Sequence, residues 1–156
     1  MRSAIEQSSL PSLPNSFVDD IRIAGAAPVP LLETPAVRAM RRASFVGQDT
    51  PVEAVPELLL TGTRLLVVVD DQHRPCGVVT AAHILRAAKN RSKENLAQAR
   101  VRDISTPCSS LRDSATLRTA AKMFASRSKT HAAVINAEGC VVGILTASDV
   151  LRALGA

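Results

Sequence analysis

The sequence has no tryptophan or tyrosine and only three phenylalanines. A surface that reads single nucleic-acid strands by stacking bases on aromatic rings is excluded, and the core must be assembled from Val, Leu, Ile and Ala. Cysteine is equally sparse. Cys76, Cys108 and Cys140 form no C-x-x-C pair and stand beside no histidine at metal-ligand spacing. A disulfide framework or zinc site is therefore not expected, and scattered thiols fit a reducing compartment. No apolar run is long enough to span a bilayer, and residues 1–15 have no apolar centre like that of a secretion signal. The protein is expected to be cytoplasmic, with no membrane partner. No Ser-His-Asp order, paired carboxylates, metal cluster, P-loop or dinucleotide fingerprint stands out. No enzymatic activity, required cofactor or bound metal is expected.

What is present is a globular composition, with 46% of the 156 residues apolar. That length suits one compact domain or two very small ones. The formal charge of +5 permits attraction to phosphates or to an acidic partner. The basic residues are spread out, with clusters only at Arg38-Arg41-Arg42 and Lys89-Arg91-Lys93. Both clusters read as solvated faces, so nucleic acid is an alternative partner rather than the favoured one.

The chain is organised around Gly143-Ile144-Leu145-Thr146-Ala147-Ser148-Asp149. An apolar run ends in a Thr, with Asp three residues later and apolar Val150-Leu151 beyond. This pattern predicts a buried strand turning directly into a helix with Thr146 as its N-cap. A second, imperfect copy, Gly77-Val78-Val79-Thr80-Ala81-Ala82-His83, lies 66 residues earlier. The same separation relates Val69 to Ile135 and Ile84-Leu85-Arg86-Ala87 to Val150-Leu151-Arg152-Ala153, while Val37-Arg38 precedes Val101-Arg102 by 64. The economical solution is an α+β fold of two β-α-β-β-α units packed through their sheets, since each sheet face is too apolar to leave in water.

In the first copy, Thr34-Pro35 predicts a helix to about Arg42, and Thr50-Pro51-Val52-Glu53 a capped helix start. Strands are expected at Phe45-Val46, Leu65–Val69 and Cys76–Val79, with a helix from Thr80 to Asn90. In the second copy, Val101–Ile104 is a helical turn, Ser109–Arg112 a strand, and Thr116–Ser126 an amphipathic helix. Strands His131–Ile135 and Val141–Leu145 follow, then a helix from Thr146 to Leu154. The expected divisions are an extended arm over 1–33, a first repeat over 34–90, a linker over 91–100 and a second repeat over 101–156. Phe17, Val18, Ile21 and Ile23 are the arm's apolar anchors.

This ordered set, present twice, resembles a tandem pair of CBS domains, the cystathionine-β-synthase-type module also called a Bateman module. The resemblance rests on Val101-Arg102-Asp103-Ile104-Ser105-Thr106, the helix carrying Ala120-Ala121, the strand ending at Val134-Ile135, and Gly143-Ile144-Leu145-Thr146 with Asp149. It covers residues 34–155. It implies pseudo-two-fold packing, a homodimer, and inter-repeat clefts that bind AMP, ADP, ATP or S-adenosylmethionine. It implies a regulatory, allosteric sensor acting on a separate partner protein. By the same resemblance Asp149 would accept from both ribose hydroxyls and Thr146 would bond ribose or phosphate. An ionised carboxylate suits the first role, and a helix N-terminus suits the second. Ile104, Ala132 and Ala133 are the candidates to hold the adenine. His131, Arg127, Lys129 and Arg152 are the candidates to reach a phosphate. The first repeat departs from the pattern, because His83 stands where the ribose-binding acid would be. A neutral imidazole accepts only one hydrogen bond. The second site, at Thr80 and His83, is expected to be empty, weak or selective for something other than a nucleoside. Both Thr residues also read as plain helix caps, and the alternative function is a ligand-free scaffolding or dimerisation module.

Overall fold

The computed structural model describes residues 29–127 and 129–155. The chain lays down the same element order twice. A short helix α1 (Val29–Leu32) and a 3-10 turn (Ala36–Arg38) lead into strand β1 (Ser44–Gly47). A second 3-10 turn (Val52–Ala54) runs into α2 (Val55–Leu60), followed by β2 (Leu65–Val69), β3 (Pro75–Thr80) and α3 (Ala81–Asn90). The connecting helix α4 (Lys93–Gln98) takes its N-cap from the Ser92 side chain, which accepts from the Asn95 amide at 3.2 Å. The second unit comprises α5 (Val101–Ile104), β4 (Ser110–Arg112), α6 (Leu117–Arg127), β5 (His131–Ile135), β6 (Val141–Thr146) and α7 (Ala147–Gly155).

Each unit builds a three-stranded sheet, β1-β2-β3 and β4-β5-β6, with the first pair parallel and the second antiparallel. The duplication extends to the irregularities. The ladder slips between Val68 and Val69 in one sheet and between Val134 and Ile135 in the other. The β2–β3 turn is held by Asp70 Oδ1, which accepts from the amides of Gln72 and Arg74. The β5–β6 turn is held by Asn136 Oδ1, which accepts from the amides of Glu138 and Cys140. Both turns need one left-handed residue. Gly139 fills that place at φ 86° and His73 at φ 65°. Glycine adopts that conformation freely, whereas a histidine there is strained.

The inner strands are dense apolar runs because both of their faces are buried. Leu66, Val68 and Val79 pack with Val46, Val55 and Val101 beneath the helices of the first unit. Val67 and Val69 turn the other way, onto Ala133, Val141 and Ile144 of the facing sheet. The core of the second unit is larger, joining Leu111, Leu117, Ala120, Phe124, Ala132, Val134, Leu145, Val150 and Leu154.

That larger core also contains Leu32 and Ala36, both fully buried. The leading segments are exchanged between the units. Pro35 bridges to Thr116, Ala36 N–H donates to the Ala115 carbonyl, and Arg41 pairs with Ile144. Reciprocally, Pro51 bridges to Arg100, Val101 N–H donates to the Thr50 carbonyl, and Val78 pairs with Thr106. This exchange explains one departure from the expected elements. The expected helix from Thr34 to Arg42 shrinks to one 3-10 turn because the Arg41 amide, which a continuing helix would give to the Val37 carbonyl, donates to Ile144 instead. The helix expected after Thr50-Pro51 is present and broken at Pro56, as a 3-10 turn over Val52–Ala54 that runs into α2. Most of the expected N-terminal arm, including Phe17, Val18, Ile21 and Ile23, lies outside the described residues. Its last residues, Val29–Leu32, are helical.

The glycine that opens each strand-to-helix motif is required by the same crossing. A Cβ on Gly143 would stand 2.5 Å from Met40 Sδ and 2.9 Å from the Arg41 carbonyl oxygen. A Cβ on Gly77 would stand 2.6 Å from the Thr106 carbonyl oxygen. Each glycine marks the close approach of another backbone rather than a ligand contact.

Candidate ligand cleft

Strand β6 delivers Thr146 to the start of α7, and the helix turn brings Asp149 back beneath it. The two residues close a reciprocal cap. Thr146 Oγ1 accepts from the Asp149 amide at 3.1 Å, while the Thr146 amide and hydroxyl donate to Asp149 Oδ2 at 2.9 and 2.8 Å. Asp149 is the one buried charged residue among those described, at 2% exposure. Arg152 Nη1 donates to its Oδ1 at 2.9 Å, and Arg41 Nε lies 3.0 Å from Oδ1 and 3.2 Å from Oδ2. Burial raises the Asp149 pKa, but the bonds from Thr146, Arg152 and Arg41 outweigh it and hold the carboxyl below its ordinary value. The group is ionised at neutral pH.

In the first unit β3 delivers Thr80 to the start of α3 in the same way. The Thr80 amide donates to His83 Nδ1 at 3.0 Å, so the ring proton sits on Nε2. Burial and the neighbouring Arg86 lower the His83 pKa, keeping the ring neutral and the cap intact. His83 thus takes the backbone-capping part of Asp149 without its charge.

A cavity of about 590 Å³ opens between the units. Thr80 and Thr146 both face it, as do their strand neighbours Leu65 and His131 and the preceding Arg64 and Thr130. Residues at equivalent positions in the two repeats therefore share one space. The remaining wall comes from the crossing segment Arg41–Ser44, from Gly62-Thr63, from Val67 and Ile144 beneath, and from Ser148. Among the described residues its charged wall residues are arginines, its polar residues are mostly hydroxyls, and no carboxylate lines it. His131 contacts Thr130 Oγ1 at 3.3 Å. Burial, then Lys129 and His83, lower its pKa, so at neutral pH it faces the cavity as an uncharged imidazole.

The expected site residues are distributed unevenly around this space. Thr146, Thr80 and His131 line it. Asp149 lies directly behind Thr146 and does not. Ala132 and Ala133 are fully buried, the first in the second unit's core and the second between the sheets. Ile104 sits with His83, Arg86, Ala87, Asn90, Arg91 and Asp103 along a separate groove of about 460 Å³. Segment exchange carries Ile104 to the first unit and places Met40, its counterpart 64 residues earlier, against the Gly143 corner. Arg152 reaches Asp149 rather than the cavity. The Arg127 side chain lies outside the described residues. Arg41, Arg42, Arg64 and Ser148 were not among the expected residues. Aligning Val37-Arg38 with Val101-Arg102 was the signal for the first two, provided the exchange was foreseen.

The family model described as CBS domain matches residues 36–90 and 101–156. Solved structures agree. The CBS domain of a bacterial CNNM/CorC family Mg2+ transporter, in complex with ATP, superposes with a TM-score of 0.68 at 19% identity, covering 81% of this chain and 90% of that one. A CBS domain-containing protein from Bacillus anthracis matches with a TM-score of 0.68 at 19% identity, covering 79% and 94% of the two chains. The cytosolic domain of the Mg2+ channel MgtE, in complex with ATP, matches with a TM-score of 0.65 at 25% identity, covering 78% of this chain and 49% of that one. No curated protein sequence matches the chain.

Proposed function

The chain belongs to the CBS domain family, with two copies packed as a pair, and on that basis we propose that it is a regulatory module binding an adenine nucleotide in the cavity between its repeats. The observation that carries this reading is the lining of the cavity. Arg41, Arg42 and Arg64 converge there with the hydroxyls of Thr146, Ser148 and Thr80, and among the described residues no carboxylate lines the wall. Guanidinium groups suit phosphate oxygens. AMP, ADP and ATP fit such a space, whereas the sulfonium cation of S-adenosylmethionine meets charges of its own sign. Two structural neighbours were solved with ATP bound. Arg152 and the buried Ala132 and Ala133 lie away from the ligand, and Ile104 belongs to the other groove. Thr146 and His131 contact the ligand directly, and Asp149, behind Thr146, reaches it only where a donor on its carboxylate gives way.

Regulation follows from differential binding: a ligand that fits one arrangement of the repeats better shifts the population toward it. The segment Arg41–Ser44 both lines the cavity and continues from Ala36 in the second unit's core. Ligand in the cavity therefore bears on how the two units are tied. The regulated protein is a separate partner. A homodimer is supported by Leu85 and Leu151, which occupy equivalent places on α3 and α7 and are 70% and 63% exposed; sedimentation velocity tests it. Among the described residues no helix is long and apolar enough to cross a membrane, and the three cysteines are free, which supports a cytoplasmic setting. The ligand-free scaffolding reading is favoured by one observation, the complete internal pairing of Asp149.

Calorimetry with AMP, ADP, ATP and S-adenosylmethionine distinguishes these readings. We expect the nucleotides to bind and S-adenosylmethionine to bind at least tenfold more weakly. Arg64→Glu, a reversal at an exposed wall residue, should weaken ATP by more than tenfold. Absence of binding by every nucleotide would leave the scaffolding module.

A further inference from the structure

The Asp149 carboxylate has about four acceptor positions, and four donors fill them: the Thr146 amide, the Thr146 hydroxyl, Arg152 Nη1 and Arg41 Nε. The carboxylate is also sealed, with its side chain 1% exposed. As it stands it has nothing left to offer a ribose hydroxyl. The Thr146 hydroxyl has no hydrogen left to give, since it goes to Asp149 Oδ2, and keeps one lone pair to accept. A ligand can reach this carboxylate only if a donor leaves.

The four donors are not equally free to leave. The Thr146 amide is fixed by the backbone of the strand end. The Thr146 hydroxyl belongs to the closed cap. Arg152 approaches from the same helix, one turn on, and does not border the cavity. Arg41 arrives from a distant part of the chain, borders the cavity, and has a side chain that is 60% exposed. Its backbone is pinned on both sides of the peptide unit by Ile144, at 2.8 and 2.9 Å. The guanidinium can therefore swing while its base stays fixed.

We propose, resting on the nucleotide-binding reading, that Arg41 is an exchangeable cover over Asp149 that sets ligand specificity. In the empty protein it holds the ribose position. Nucleotide binding displaces it, the vicinal hydroxyls take its place on the carboxylate, and the released guanidinium turns to the phosphates beside Arg42 and Arg64. A nucleoside without phosphate must displace the same arginine and gives it no new anion in return. The cover thereby selects phosphorylated ligands over the bare nucleoside. It also makes the position of one side chain on the crossing segment report on occupancy.

The test compares ATP with adenosine on the wild-type chain, Arg41→Gln and Arg152→Gln. Calorimetry reads ATP, and the Thr146 amide resonance reads adenosine into the millimolar range. Far-ultraviolet circular dichroism checks that each variant is folded. In wild type, ATP should bind at least tenfold more tightly than adenosine. In Arg41→Gln, adenosine should bind severalfold more tightly than to wild type and ATP about tenfold more weakly, so the preference collapses. Arg152→Gln should leave the preference in place. An Arg41→Gln chain that loses ATP and adenosine in equal proportion, or gains nothing for adenosine, overturns the cover and leaves the nucleotide site standing. Failure of wild type to bind either compound overturns the nucleotide reading itself.

Discussion

At the start of α7 a carboxylate gathers four donors, two of them arginine nitrogens. At the start of α3 an imidazole nitrogen in the same backbone position accepts one backbone amide. Thr80 and Thr146, the preceding strands and the close-packed glycines are otherwise equivalent. The difference spreads to the neighbours. Asp149 is matched by Arg41 from the crossing segment, whereas Ser105 occupies the corresponding place beside the first corner. Arg86 and Arg152 occupy equivalent positions, yet one depresses the basicity of His83 and the other donates to Asp149. One fold position therefore supports a neutral cap in one repeat and a buried ion cluster in the other. What the shared fold demands is an acceptor for the Thr amide. The charge is a separate feature, found only where the arginines can meet it.

The largest effect expected from breaking this comparison comes from truncating the two acceptors. Asp149→Ala strands the Thr146 amide and removes the acceptor of two arginines. Losing a cap costs about 1 kcal/mol, and a buried donor left unpaired roughly 1–3 kcal/mol more. The arginines are more than half exposed and recover most of their hydration. A loss of about 2–4 kcal/mol is expected in urea denaturation. His83→Ala removes one bond at a half-buried site and should cost only about 0.5–1 kcal/mol. Equal losses would mean that the arginine cluster adds nothing to the cap.

The two glycines give a smaller and differently ordered contrast. An added methyl at either site overpacks the crossing, at a typical cost of about 1–3 kcal/mol. At Gly143 the nearest atom is the end of a methionine side chain, which can turn aside, and the backbone oxygen lies at 2.9 Å. At Gly77 the nearest atom is itself a backbone oxygen, at 2.6 Å. Gly77→Ala should therefore be the more destabilising of the pair, although it sits in the repeat with the weaker corner. The reverse order would show that the first unit yields more readily where its leading segment crosses.

Most of the architecture was legible in the residues because it rests on local patterns repeated at a fixed spacing. The dense run Leu65–Val69 and the strand His131–Ile135 appear with the expected bounds, the first ending in a turn that opens with Asp70-Asp71 and the second in a turn from Asn136 to Gly139. The first leading helix was not legible. Thr34-Pro35 carries a good local start signal, but the Arg41 amide that the helix would use is claimed by Ile144 of the opposite repeat. The cleft suffered from the same cause. Thr146 was readable as a corner residue, whereas Arg41, more than a hundred positions away, is joined to Asp149 only through the exchange. Ala132 and Ala133 looked suited to an adenine because they are apolar strand residues. Ala133 instead packs between the two sheets and Ala132 in the second unit's core, and both are fully buried.

The smallest effect, and the one that separates the corners most directly, is their response to acid. His83 has a pKa below the ordinary 6.5, so its protonation is opposed by folding. Its contribution is complete above pH 6.5 and is lost as pH falls from 6.5 through the lowered value. Protonated, the ring has no acceptor for the Thr80 amide. Asp149 has a pKa below the ordinary 3.8, so its contribution is complete above pH 3.8 and is lost only as pH falls through its lower folded value. The Thr80 and Thr146 amide resonances report these events separately in one titration. Thr80 should shift with a midpoint somewhat below 6.5 while Thr146 stays still, and Thr146 should move only below 3.8. In His83→Asp the Thr80 transition should migrate to the carboxylate range, since the new acceptor loses its proton far more easily. Coincident midpoints in the wild-type chain would mean that the two corners open together, as parts of one cooperative unit.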